Sequence, residues 1–333
     1  MVKITAYGVR PIEVPYFKKL NTEHYELNLV PELLDHDNAN VAKGSTGVLL
    51  RGNCLGDRTN LEKFKAWGIE YVFTRTVGVD HLDLDAAKEL GLKVARVPSY
   101  SPYAVAELAL TLGMSLFRKV AAEITNTHTG NFRVLDQYFS KEIHSSTVGI
   151  IGCGRIGAAE GELYAGLGAT VIGYDPNSAD PHHKNGIDLV SLPELLNEAD
   201  IVSLHVPFIP GKTEHLIDQA ELREMKSDAI LINTARSQVV NLPAVNQALA
   251  AQTIGGYGAD VIVAESQIIG KDFASLDQLP NAELLTLMQQ FPNVIITPHV
   301  GSFTEPALTD MITISYQNFA TTIATGTCPN AVI

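Results

Sequence analysis

Cysteine is scarce in this chain. Cys54, Cys153 and Cys328 are too few and too scattered among 333 residues for a disulfide framework or a zinc site, so no metal centre is expected and a reducing compartment is. Positive charge is also short: 24 Lys and Arg face 37 Asp and Glu, a formal net charge of −13. That balance argues against binding to nucleic acid or to an anionic membrane surface, and an anionic substrate would need a local basic site. No apolar run reaches the ~18 residues that a membrane span requires. The opening Met1-Val-Lys-Ile-Thr-Ala-Tyr-Gly8 reads as a first strand and lacks the charged and apolar regions of a signal peptide. The expectation is a soluble, cytoplasmic protein. Internal repeats and low-complexity tracts are absent.

What is present is a βα rhythm. The length suits two domains, each with its own core. In the first hundred residues, Ile4 to Tyr7, Gly47 to Leu50, Tyr71 to Thr74 and Val94 to Val97 read as short strands. Helical stretches such as Asn60 to Trp67 and Leu84 to Leu90 lie between them, which predicts a parallel sheet with crossover helices. Ser101-Pro102 opens a strong helix, with Ser as cap and Pro at its first position. Its apolar residues, among them Ala104, Val105, Leu108, Leu110, Leu112, Met114 and Leu116, cover nearly its whole girth and predict burial between domains or subunits. Ile201 to His205, Ala229 to Ile232, Ile254 to Ala259 and Val294 to Thr297 continue the strands of a second doubly wound sheet. The last helical stretch, Glu305 to Ile323, is expected to return to the first domain. The predicted division is residues 1–101 with 300–333, and residues 102–299.

At the centre of the second part stands Thr147-Val-Gly-Ile-Ile-Gly-Cys-Gly-Arg-Ile-Gly157, followed by a second apolar run ending in Tyr174-Asp175. This is strand, glycine turn, helix and strand, with a carboxylate at the second strand's tip. Gly152 permits the turn, Gly154 lets backbone approach a pyrophosphate, and Gly157 lets the helix pack closely on the sheet. The anion would rest on the amides at the helix start, where the helix dipole favours it. Asp175 would take the adenosine ribose hydroxyls. A carboxylate repels a 2′-phosphate and no Arg follows until Arg223, so NAD is expected rather than NADP. The first hundred residues carry no such glycine motif.

Three further residues sit at strand ends, which face the ligand crevice of such sheets. Arg236 follows Leu231-Ile-Asn-Thr-Ala235; it can pair with a carboxylate and polarise a carbonyl, or simply form a surface ion pair. His299 lies in Ile295-Ile-Thr-Pro-His299, and titrates near neutrality as a proton donor and acceptor should. Nine other histidines show how ordinary such a residue can be. Glu265, in Asp260-Val-Ile-Val-Ala-Glu265, would orient the His299 ring and raise its pKa if adjacent, and is otherwise a solvated loop residue.

The order of these motifs resembles the D-2-hydroxyacid dehydrogenase family over almost the full length. So do Thr76-Val-Gly-Val-Asp80-His-Leu-Asp83, Val97-Pro-Ser-Tyr-Ser-Pro102 and Leu204-His-Val-Pro207. The resemblance implies an α/β fold of two doubly wound parallel-sheet domains, a Rossmann NAD-binding domain and a smaller flavodoxin-like substrate domain. It implies that Arg236 binds and polarises the substrate, that His299 is the acid/base, and that Glu265 is its partner. Val77 and Gly78 would offer amides to the substrate carboxylate, and Tyr100 would line the pocket. Cofactor contacts would come from Gly152, Gly154, Arg155, Ile156, Gly157, Asp175, Val206, Pro207, Thr213, Thr234, Ala235, Arg236 and Asp260. It further implies a homodimer, with the helix from Ser101 to Arg118 near the subunit contact, and a small 2-oxo or 2-hydroxy acid as substrate.

Glu265 points away from formate, whose enzymes resemble this family with Gln there. No further C-terminal domain follows, which points away from a regulated phosphoglycerate enzyme. Arg51, in Arg51-Gly-Asn-Cys54, falls where this family contacts the substrate side chain. It could pair with a second carboxylate, as in the 2-hydroxyglutarate dehydrogenases it resembles, or could be a structural Arg tied to local backbone or a surface acid. The substrate candidates are 2-oxoglutarate, 2-oxoisocaproate, phenylpyruvate and pyruvate. Two positions depart from the family. Ser237 replaces the Gly that follows the Arg and would be strained at a positive φ, whereas Asn241 replaces an Asp and still caps a helix. An alternative reading is an NAD(H)-sensing corepressor-like protein of the same fold, although the compact chain favours an enzyme.

Overall fold

Twelve short strands form two separate sheets in a computed structural model describing residues 1–333. The chain divides into two compact units, Met1–Ser101 with Phe303–Ile333, and Pro102–Ser302. The first unit holds β1 (Lys3–Tyr7), β2 (Glu26–Val30), β3 (Gly47–Leu50) and β4 (Tyr71–Thr74). They lie in the order β2-β1-β3-β4, all parallel, as in flavodoxin-like sheets. β3 and β4 are buried along their whole length, which is why they read as unbroken apolar runs. β2 was not expected from the sequence. As an edge strand it leaves Glu26 exposed and Asn28 half-buried, so its apolar pattern is diluted.

The predicted strand at Val94 to Val97 is a correction. This segment is extended, but single hydrogen bonds hold it. The amides of Val72 and Thr74 donate to Lys93 O and Ala95 O, while Ala95 bridges to Ala331 on its other side. It hugs the edge of β4 without a continuous ladder.

The helix Glu305–Thr325 does return to the first sheet. Thr304 Oγ1 accepts from the Ala307 amide at its start, and Gly326 ends it in a left-handed conformation. Its Phe319 ring lies 4.5 Å from that of Phe73, and Tyr316 Oη donates to Phe17 O at 3.0 Å. Burying such rings stabilises this unit; truncating one to Ala typically costs about 3–5 kcal/mol.

The second unit contains β5 (Thr147–Ile151), β6 (Thr170–Tyr174), β7 (His183–Lys184), β8 (Ile187–Leu189), β9 (Ile201–Leu204), β10 (Ile230–Asn233), β11 (Gly256–Ala259) and β12 (Val294–Ile296). Their order is β12-β11-β10-β9-β5-β6-β8-β7, and only the β7–β8 pair is antiparallel. The chain winds outward in opposite directions from β5 and β9, so a ligand crevice opens where those two strands end. Register brings the ends level: Ile151 is opposite both Tyr174 and Leu204, so Gly152, Asp175 and His205 leave the sheet side by side.

The helix Pro102–Phe117 packs on the helix Arg155–Gly166 and on β10 and β11. Ala106, Ala109, Leu112, Gly113 and Leu116 make that buried side. The helix is less completely covered on its remaining sides. Tyr103 is exposed and Leu110 and Met114 are half-buried.

Candidate active site

The glycine turn is shaped by backbone. Gly152 has φ +94°, and a Cβ there would come within 2.8 Å of the His205 carbonyl. A Cβ on Gly157 would lie 2.2 Å from Gly152 O. Side chains are thereby excluded where the helix meets the turn. Above Gly154, by contrast, a Cβ would touch nothing within 4 Å. Gly154 caps the helix without a side-chain hydrogen bond, so the first amides, those of Arg155 and Ile156, face that open space. Thr234, just past β10, has its hydroxyl buried without a partner. Open space, unsatisfied amides and an orphaned hydroxyl fit a bound dinucleotide.

Asp175 stands at the tip of β6. Its Oδ2 accepts from the Cys153 amide at 3.1 Å and from Lys184 Nζ at 2.7 Å, and its Oδ1 accepts from the Asn177 amide at 3.0 Å. Sequence reasoning missed Lys184. It is delivered by the β7–β8 hairpin, whose turn residues Asn185 and Gly186 have φ of +50° and +86°. Asn-Gly between two strands is the signal for such a two-residue turn, and it was present in the chain. Asn185 Nδ2 also donates to Cys153 O at 2.7 Å, tying the hairpin to the glycine turn.

Beyond β9, Val206 lies against Gly152, and Thr213 Oγ1 clamps the following loop. It donates to Pro207 O and accepts from the Ile209 amide, each at 2.7 Å. Beneath the turn, His205 is hydrogen-bonded to buried Glu160 and to Ser203. Beyond β10, Asn233 folds the chain back: its Oδ1 accepts from the Ala235 amide and its Nδ2 donates to Arg236 O. Arg236 then presents its guanidinium, with Nη1 donating to Ala235 O at 2.8 Å. Ser237 starts a short 3-10 turn, Ser237–Val239, with no positive φ, so the strain anticipated there does not arise. Asn241 caps the helix Leu242–Ala250.

Glu265 and His299 come together across 34 residues: His299 Nδ1–H donates to Glu265 Oε2 at 2.8 Å. The loop carrying His299 is held from below by Asp260, whose buried carboxylate accepts from Thr297 Oγ1, the Val300 amide and the Gly301 amide at 2.6–2.9 Å. His299 itself has φ +53°, a conformation a non-glycine residue keeps only when its surroundings impose it. Burial works against the charged imidazole. The hydrogen bond and charge of Glu265, helped by Asp260, outweigh burial and the opposing Arg236, and the His299 pKa is raised. The result is a half-buried imidazole whose Nδ1 is committed to Glu265.

In the first unit, the carboxyl ends of β1, β3 and β4 carry Arg10, Arg51 and Arg75. One buried acid serves them: Glu13 Oε2 pairs with Arg75 at 2.9 Å and Glu13 Oε1 with Arg10 at 3.2 Å. Arg51 is half-buried, and its guanidinium takes neither a backbone carbonyl nor an acid as partner. Burial, followed by the charges of Arg10 and Arg75, pushes its pKa down to about 10. Past β4, Arg96 donates to Val77 O and Thr76 Oγ1 to Gly78 O, while the Val77 and Gly78 amides donate to no protein acceptor. His81, pushed down to about 4 by burial, is neutral at ordinary pH and braces this loop through Thr74. Tyr100 is half-buried shortly before the chain enters the second unit. No three His, Cys, Asp or Glu side chains are grouped so as to hold a metal ion.

Residues 110–301 match the model of the D-isomer specific 2-hydroxyacid dehydrogenase NAD binding domain. The chain belongs to the D-isomer specific 2-hydroxyacid dehydrogenase family. It is 35% identical to an aromatic 2-oxoacid reductase of Clostridium sporogenes over 99% of this chain and 98% of that protein. It is 33% identical to a D-lactate dehydrogenase of Escherichia coli over the full length of both. An NAD-complexed D-isomer specific 2-hydroxyacid dehydrogenase from Lactobacillus delbrueckii ssp. bulgaricus superposes with a TM-score of 0.82, 34% identity and full coverage of both chains. This dehydrogenase is an NAD-dependent oxidoreductase.

Proposed function

We propose that this dehydrogenase reversibly reduces a 2-oxo acid to the (R)-2-hydroxy acid, with His299 as acid/base. The observation that carries this reading is the Glu265–His299 pair, with Arg236 within electrostatic reach of the same imidazole. NADH, when bound, supplies the two electrons and hydrogen added to carbon 2. His299, whose charged form Glu265 favours, gives its Nε2 proton to the carbonyl oxygen, and in the reverse direction takes it from the hydroxyl. Arg236 binds the substrate carboxylate and stabilises the charge growing on that oxygen. The unused amides of Val77 and Gly78 suit an anionic carboxylate.

Among 2-oxoglutarate, 2-oxoisocaproate, phenylpyruvate and pyruvate, the lack of any protein partner for Arg51 favours a substrate with a second carboxylate. The structure gives Arg51 no backbone or acid tie of the kind a structural role requires. We further propose a homodimer. Its support is the uncovered side of the helix Pro102–Phe117 and the nearby Phe132, Val134 and Phe139, which are 78–93% exposed. The unpaired Cys54, Cys153 and Cys328 support a cytoplasmic setting, and no helix is long and apolar enough to cross a membrane.

Loss of NADH absorbance with the four oxo acids tests the reaction. Activity is expected with at least one of them, and near wild-type turnover in His299→Ala would overturn the assignment. Intact NADH binding with no turnover of any acid would instead favour an NAD(H)-sensing protein of this fold.

A further inference from the structure

On the NAD-binding reading, Asp175 would accept the adenosine ribose hydroxyls and repel a 2′-phosphate. In this chain it is already occupied. A carboxylate has about four acceptor positions, and three are filled here, by the Cys153 amide, the Asn177 amide and Lys184 Nζ. Two ribose hydroxyls need two positions, so one of these donors must yield or share. The amides of Cys153 and Asn177 belong to the glycine turn and to the turn after β6, and they move only with the backbone. Lys184 is the donor that can yield. It sits on a flexible stem, its side chain is 28% exposed, and its hairpin stays anchored through Asn185 whatever the amine does.

The ion pair also changes the charge at the tip of β6. Asp175 and Lys184 together carry no net charge, which weakens the repulsion a lone carboxylate would exert on a phosphate. The Lys184 amine lies 2.7 Å from the carboxylate that this reading assigns to the ribose.

We propose that Lys184 is a second determinant of cofactor choice in this NAD-dependent dehydrogenase. It relaxes the discrimination set by Asp175 and serves as the cation for a 2′-phosphate when NADP(H) enters. A purely structural ion pair would steady the hairpin and affect both dinucleotides alike. The selectivity role affects them in opposite senses.

Equilibrium binding separates the two roles without turnover. NADH and NADPH dissociation constants are measured by dinucleotide fluorescence for wild type, Lys184→Ala, Asp175→Ser and Asp175→Ser/Lys184→Ala. In Lys184→Ala the NADPH constant should rise about tenfold, the worth of one charged hydrogen bond, while NADH binding holds or tightens. Asp175→Ser should bind NADPH more tightly than wild type, and the double variant should lose that gain. Retained NADH binding in Lys184→Ala shows that the variant is folded, and Lys184→Arg should keep the wild-type ratio. An unchanged NADPH to NADH ratio in Lys184→Ala overturns the proposal. So does an Asp175→Ser variant with no gain for NADPH, or a double variant that keeps the gain. Wild-type protein that binds neither dinucleotide would strike at the nucleotide site itself, a different outcome from any of these.

Discussion

Both sheets put their chemistry at the carboxyl ends of parallel strands, but they build it from different materials. In the second unit the ends of β5, β6 and β9 offer backbone: a glycine turn, open helix amides and one carboxylate. The ends of β10, β11 and β12 add a cation and a tightly held acid–imidazole pair. In the first unit the ends of β1, β3 and β4 carry three guanidiniums and a single acid, so that site is defined by charge. Backbone geometry binds a fixed cofactor and is costly to vary, whereas side-chain charge at a strand end can be exchanged without disturbing the strand. We read the second unit as the part that performs the reaction and the first as the part that chooses the acid.

The strongest test of that division is His299→Ala. Loss of general acid/base catalysis should lower kcat by about 10²–10⁴ for every oxo acid alike. NADH binding, measured by fluorescence, should be unchanged. A loss confined to one acid would place selection in the second unit and break the comparison.

Next in size is the charge balance of the first unit. Burial alone would raise the Glu13 pKa, but Arg75 and Arg10 outweigh it and hold it below the usual carboxylate range. Glu13→Gln should leave buried Arg75 without its anionic partner and cost about 3–5 kcal/mol. By calorimetry the melting temperature should drop by several degrees. Because the folded pKa is depressed, the Glu13 contribution is complete above the unfolded value and is lost as pH falls through the folded one. A variant as stable as wild type would mean that the guanidiniums do not depend on that acid.

Smaller, and specific to substrate, is Arg51→Met. The ratio of kcat/KM for 2-oxoglutarate to that for 2-oxoisocaproate should fall about 10- to 100-fold, the worth of one charged hydrogen bond. Equal losses for both acids would show that Arg51 acts through the fold rather than on a distal carboxylate.

The same contrast decides what could be read from the sequence. Glycine has few substitutes at a positive φ or at a close backbone approach, so the turn at Gly152 to Gly157 was legible residue by residue. The Asp175 tip and the fully buried strands β3 and β4 were legible for similar reasons, since burial on both faces leaves an unbroken apolar run. The edge strand β2 was not, because exposure on one side mixes Glu26 and Asn28 into its pattern. Lys184 was missed because its importance comes from a hairpin that carries it back over nine residues to Asp175. The Arg10–Glu13–Arg75 cluster was missed for the same kind of reason: its members lie past two strand ends and in a short turn, and only the fold assembles them. Ser237 shows the converse, since a family departure looked strained until the backbone proved to be an ordinary 3-10 turn.

The finest test lies inside the second unit, in the pair itself. With His299 as the proposed acid, reduction requires it to arrive protonated, so the rate should hold at low pH and fall as pH rises through the His299 pKa. Oxidation requires the neutral ring and should do the reverse. Glu265 is the largest force lifting that pKa against burial. Glu265→Gln keeps a hydrogen-bond acceptor near Nδ1 but removes the charge, so both limbs should move to lower pH, with a modest change in the plateau rates. Stability should follow with the matching sign. A raised folded pKa adds stability that is complete below the unfolded histidine value and is lost as pH rises through the folded one, and the variant should lack that window. If the pH profile stays in place while the rate falls, Glu265 acts only by aiming the ring, and its charge has no part in poising the proton.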